Sequence, residues 1–113
     1  MKKETLSQHR TIFKAGDTAG NIFLLVRGSV GIFLPNNDTK TPNFVIGANE
    51  IFGEMGVIDD ELRMADAKCM EECDVISVSK DEFNSYLDES NIFVRGVVAI
   101  LSERLRKVQK STR

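Results

Sequence analysis

The sequence predicts a mainly β protein, a sandwich or barrel of short strands followed by two C-terminal helices. Three observations carry that expectation. Short apolar runs of strand length recur between Thr11 and Val78, separated at close intervals by Gly, Pro, Asn and Asp. At Ser79 the apolar spacing changes to a helical period. Hydrophobic residues make up 42% of the 113 residues, enough for one core, so residues 1–113 read as a single domain.

The elements follow in order. Residues 1–10, MKKETLSQHR, are polar and read as a flexible leader. Residues 11–78 carry the strands. Thr11 to Lys14 is the first, and Gly16-Asp17 turns the chain. Ile22 to Val26 is a continuous apolar run, Arg27-Gly28 a turn, and Ser29 to Leu34 the next strand. Pro35 to Pro42, PNNDTKTP, has the composition of a hairpin tip. Phe44 to Ile46 is a short strand, after which Gly47-Ala48-Asn49 turns. Ala65 to Cys69 and Asp74 to Val78 are the last two strands. Phe23, Phe33, Phe44 and Phe52 sit in or beside strands and are assigned to the core, as are Cys69 and Cys73, since free cysteine is among the most buried residue types.

Residues 79–110 form the helical part. Ser79 and Glu82 have the spacing of a capping box for a short helix ending near Asp88. Ser90 or Asn91 can cap a longer helix over 91–109. Val94, Val98, Leu101, Leu105 and Val108 on it follow a heptad seam, while Phe93, Val97 and Ile100 line a neighbouring face. A helix lying on one barrel needs one apolar stripe. The second stripe points to a homodimer.

Composition excludes several classes. The net charge is −2, and no basic patch of nucleic-acid type precedes the last helix. There, Arg104, Arg106, Lys107 and Lys110 suit a helix C-terminus and need no DNA. No apolar run approaches a membrane span, and no apolar segment follows Lys2-Lys3 as in a signal peptide, so a cytosolic location is expected. Two cysteines and one histidine make no zinc site, and His9 reads as a solvated residue. No nucleophile–base pair or glycine-rich triphosphate loop is present, so no enzyme is expected.

The chemistry concentrates in 52–67, FGEMGVIDDELRMADA. Glu54 can accept a hydrogen bond from a sugar hydroxyl. Arg63 offers a planar fork of donors that fits a phosphate bidentately. Ala65 is small enough to let a ligand approach the backbone. If Glu54 to Ile58 form a helical turn, its free N–H groups also favour an anion.

At FGEM and the following R-M-A-D-A, with this separation of Glu54 from Arg63, the chain resembles the cyclic nucleotide-binding domain family, over about Thr11 to Lys107. The resemblance implies an antiparallel β-roll (jelly-roll) barrel with C-terminal α-helices, and a phosphate-binding cassette at 52–67. It implies ligand contacts from Phe52, Gly53, Glu54, Met55, Arg63, Met64 and Ala65, with Glu54 on the ribose 2′-hydroxyl. The ligand it implies is cAMP, possibly cGMP, with no metal and no cofactor. Family members usually carry helices before the first strand. Residues 1–10 leave little room for one, which reads as a trimmed or minimal domain. Members that prefer cGMP often have Thr or Ser where Met64 stands, so Met64 tilts the reading to cAMP. The family often has Thr or Ser at Asp66 too; strand alternation turns Asp66 away from Arg63 and Ala65.

Two functional readings result. One is a non-catalytic cAMP sensor that relays binding through its C-terminal helices to a partner or an attached domain, itself touching no nucleic acid. The other is a ligand-free interaction or dimerisation module, in which Arg63 pairs with Glu54 or with Asp59, Asp60 or Glu61. They differ in whether Arg63 is locked by a carboxylate.

Overall fold

The computed structural model describes residues 1–111, apart from the side chains of Met55, Ile58, Asp59, Ser102, Leu105, Arg106, Val108, Gln109, Lys110 and Ser111. They fall into two compact units, Met1–Lys80 and the residues from Asp81 on.

The first unit is an eight-stranded antiparallel jelly roll of two four-stranded sheets. Strands β1 (Lys2–Leu6), β8 (Cys73–Ser79), β3 (Asn21–Arg27) and β6 (Ile51–Phe52) form one sheet, in the order β1-β8-β3-β6. The other runs β2-β7-β4-β5, from β2 (Thr11–Phe13), β7 (Asp66–Cys69), β4 (Val30–Phe33) and β5 (Phe44–Ile46). The inward positions of both sheets close one core around Leu6, Leu25, Val30, Phe52, Ala67, Cys69, Cys73 and Val75. Burial pushes the Cys69 thiol up to about 12, aided by Cys73, so it stays protonated and serves as packing. Between β6 and β7 lies the short helix α1 (Glu54–Asp59).

Two expectations need correction, and one strand was not foreseen. Residues 1–10 are not all a flexible leader, because Lys2 to Leu6 pair in register with Ser77 to Cys73. Only Leu6 of that strand is buried, so its sequence shows no apolar pattern. Its pairing is made by the backbone, and charged residues suit an edge strand. Ile51–Phe52 adds a strand, too short to read, that pairs with Phe23 and Leu24. Phe44, assigned to the core, is 60% exposed on edge strand β5.

The second unit holds most of α2 (Lys80–Glu89) and all of α3 (Ile92–Ser111). Asn91 caps α3 as expected, its Oδ1 accepting the Phe93 N–H at 2.7 Å. Val94 and Leu101 of the seam are exposed, as are Phe93, Val97 and Ile100. Val98 is half-buried, and the side chains of Leu105 and Val108 lie outside the described residues. Among the described residues, no helix is long and apolar enough to cross a membrane.

Edge strand β1 is also held by side chains. Asp74 on β8 accepts from the Thr5 hydroxyl at 2.7 Å and from Arg27 Nε at 2.8 Å, tying β1 and β3 to β8. Arg27 first, then Thr5, hold the Asp74 carboxyl below its ordinary 3.8. A carboxyl depressed in the folded state stabilises above its unfolded value, and that contribution is lost as the pH falls through the folded one. Asp74→Asn therefore lowers Tm at pH 7, and the gap to the parent closes as the pH drops below 3.8. Thermal melts across that range check it; a gap independent of pH refutes the assignment.

Candidate functional site

The site is built around Arg63, which is only 7% exposed. Its backbone is clamped to the turn after β2. Arg63 N–H donates to Asp17 O at 2.8 Å, and Gly16 N–H donates to Arg63 O at 2.8 Å. The turn is itself fixed by Asp17 Oδ2, which accepts from the Lys14 N–H at 2.9 Å. The side chain then reaches under α1. Nη1 donates to Gly53 O, Nη2 donates to Asn21 O at 2.7 Å, and Nε is buried without a hydrogen-bond partner.

Aromatic rings complete the cradle. The guanidinium carbon lies 4.2 Å from the Phe13 ring centre and 5.8 Å from that of Phe23. Phe23 stacks on Phe52 with centroids 5.2 Å apart. Such rings attract a cation through their faces but supply no counter-charge. Burial lowers the Arg63 pKa, which the nearby charges of Asp17 and Glu54 partly restore. Among the described residues no carboxylate lies within ion-pair distance of Arg63. The guanidinium is thus neither free nor locked by Glu54. Two carbonyls hold it.

The other sequence-predicted residues gather here. Phe52 faces the core beneath the site, Gly53 is the left-handed residue before α1, and Glu54 opens that helix. Met64 is 46% exposed, and Ala65 is buried. The Met55 side chain lies outside the described residues. Asp66 is engaged elsewhere, its Oδ1 accepting the Ala15 N–H at 2.8 Å. Sequence reasoning missed Asp17, Asn21, Phe13 and Phe23 as parts of the cradle. Asn21 acts through its carbonyl, which leaves no trace in residue type. The two phenylalanines look like any core aromatics. Only the Gly16-Asp17 turn signal pointed to this corner.

Gly53 is required twice over. Its φ is 75°, and a methyl group there would stand 2.9 Å from Arg63 Nη1 and 3.1 Å from Phe13 Cε2. Gly53→Ala is expected to cost about 1–2 kcal/mol of stability from backbone strain alone, read as a lower urea midpoint. An unchanged midpoint would show that the chain around Arg63 is not held as described.

Comparison with known proteins gives the family and the fold. The model of the cyclic nucleotide-binding domain family matches residues 3–90. The cyclic AMP receptor protein of Thermus thermophilus is 25% identical over 101 residues, covering 88% of this chain and 47% of that protein. The cAMP-activated global transcriptional regulator Vfr of Pseudomonas aeruginosa is 27% identical over 107 residues, covering 88% and 49%. The chain therefore spans about half the length of these curated relatives. Among solved structures, the halfsite-occupied form of the EAL enzyme Bd1971 superposes with a TM-score of 0.82 at 26% identity, covering 96% of this chain and 97% of that one. Structures of Bd1971 in cGMP-bound and cAMP-bound forms superpose with TM-scores of 0.75 and 0.74, at 26% and 25% identity, and cover 97% and 98% of this chain and 30% of theirs. The chain belongs to the cyclic nucleotide-binding domain family.

Proposed function

We propose that this cyclic nucleotide-binding domain is a non-catalytic sensor that takes cAMP in preference to cGMP. On this reading it relays occupancy through its C-terminal helices to a partner or an attached domain. One observation carries the proposal: Arg63 is a buried cation with an unpartnered Nε and no carboxylate in ion-pair distance among the described residues. A cyclic phosphate supplies the missing counter-charge and accepts from the guanidinium edge bidentately. Glu54, at the first turn of α1, takes the ribose 2′-hydroxyl. Ala65 leaves room for the phosphate, and Met64 offers no hydroxyl to a guanine amino group, which favours adenine.

On this reading the relay starts inside the first unit. Asn21 O holds Arg63 Nη2, and the adjacent Gly20 O accepts the Lys80 N–H at 3.2 Å. Lys80 opens α2, and its Nζ pairs with Asp60, which caps the end of α1. A phosphate competing for Nη1 and Nη2 loosens Gly53 and Asn21 together, at the two ends of this connection. Binding shifts the arrangement only by its differential affinity for the two states. The proposal places the domain in the cytoplasm and gives it no contact with nucleic acid.

The alternative, a ligand-free scaffold, rests on each Nη group already donating to a carbonyl. Calorimetric titration with cAMP and cGMP separates the two. Micromolar or tighter binding of cAMP, weaker binding of cGMP, and a loss of about 3 kcal/mol or more in Arg63→Ala are expected, since hydrogen bonds from a charged donor contribute about 1.5–3 kcal/mol each. No heat and no thermal shift at millimolar nucleotide would leave the scaffold reading.

The exposed apolar faces of α3 support a homodimer along 91–109. Val97→Glu with Leu101→Glu, which puts charge on both stripes, is expected to halve the mass in sedimentation equilibrium. A parent chain that already sediments as a monomer would remove the dimer.

A further inference from the structure

The jelly roll carries a cavity outside residues 52–67, and we propose that it binds a small organic anion whose phosphate or carboxylate is joined to an apolar body. It is an open cleft of about 330 Å³, at the small end of ligand pockets, a size for a mononucleotide or an aromatic acid. Its apolar part is Phe33, Cys69 and Met70. Its polar part is Thr39, Lys40, Lys68 and His9. Two lysines and a histidine thus face one space with no carboxylate among its lining residues. Among the described residues, neither lysine has an ion-pair partner. Converging cations raise the local potential, and an anion relieves it.

Each wall is fixed by the backbone or by a side-chain network. His9 takes a left-handed φ of 74°, its N–H donating to Cys69 O at 2.8 Å, while Cys69 N–H donates to Arg10 O at 2.9 Å. Gln8 Nε2 adds a bond to Met70 O at 3.1 Å. The turn before β2 is thereby stitched to the end of β7, which sets His9 at the cavity. On the opposite side, Asn37 Oδ1 accepts both the N–H and the hydroxyl of Thr39, at 2.9 and 2.6 Å, and Asn37 Nδ2 donates to Thr41 O at 2.9 Å. That network orders the hairpin tip around Lys40. Lys68 Nζ is parked 5.4 Å from the Phe33 ring centre. Gly31 lets the floor close, since a methyl group there would stand 2.7 Å from Met70 Sδ and 3.0 Å from Phe33 Cε1.

A positive rim over an apolar floor recognises two features at once: an acidic group for the cations and a planar or aliphatic body for Phe33 and Met70. None of these residues belongs to 52–67. The site therefore stands whether or not the cassette takes a cyclic nucleotide.

Two-dimensional amide NMR on the purified chain tests it, with adenosine monophosphate, benzoate and inorganic phosphate as separate probes. Saturable shifts at His9, Thr39, Lys40 and Lys68 are expected with at least one organic probe, and which one binds identifies phosphate or carboxylate as the acidic group. They should persist in Arg63→Ala. They should weaken at least about tenfold in Lys40→Glu with Lys68→Glu, two substitutions outside the core whose melts should match the parent. The proposal is overturned by no saturable shift at these amides up to about 10 mM of any probe. It is equally overturned if inorganic phosphate binds as well as the organic probes, or if the double charge reversal leaves binding intact.

Discussion

A guanidinium removed from water must be given partners, and meeting that need at Arg63 constrains much of the first unit. Arg63 cannot shed its charge to relieve burial as a lysine would. The fold surrounds it instead with two carbonyls and the faces of Phe13 and Phe23. These partners come from three separate stretches of chain: the end of β2, the start of β3, and the residue between β6 and α1. No one of them can move without uncovering the charge. The site is consequently assembled by tertiary structure, although its two most diagnostic residues, Glu54 and Arg63, lie close in sequence.

The jelly roll explains how those stretches meet. β3 pairs with β6 through Phe23 and Phe52, which brings Gly53 beside the start of β3. β2 pairs with β7, which returns the chain after Arg63 to the turn it came from. The Gly16 and Asp17 bonds to the Arg63 backbone close that corner. The left-handed Gly53 then aims its carbonyl at Nη1 as α1 begins. A side chain at Gly53 would occupy the space the guanidinium fills, so the glycine and the arginine specify one another.

The same architecture accounts for what could be read in the sequence. Strands with apolar inward residues, such as Asn21–Arg27 and Cys73–Ser79, show as hydrophobic runs, and Ile92–Ser111 shows as a capped helix. Lys2–Leu6 does not, because an edge strand needs backbone partners and few apolar side chains. Phe44 misleads for the converse reason: an aromatic in a strand pattern can lie on the outer side of an edge. The candidate site was legible as a spacing of Gly53, Glu54 and Arg63. Its cradle was not, since carbonyl acceptors such as Asn21 O are independent of residue type. The cavity at His9, Lys40 and Lys68 was still less visible, because these residues come together only through strand pairing and hairpin geometry.

Whether Arg63 serves an anion or the scaffold is a competition for its two Nη groups. Gly53 O and Asn21 O hold them at little cost in charge separation, yet they leave the cation without a counter-charge and Nε without a partner. A phosphate can satisfy both deficits at once, and a charged acceptor forms stronger hydrogen bonds than a carbonyl. On the sensor reading, exchange of partners frees Gly53, the residue before α1, together with Asn21, the neighbour of the carbonyl that accepts the Lys80 N–H. An arginine bound to a carboxylate would have no such choice to make. On the sensor reading, it is the neutral character of Arg63's partners that makes the site responsive: they are strong enough to bury the cation and weak enough to yield it.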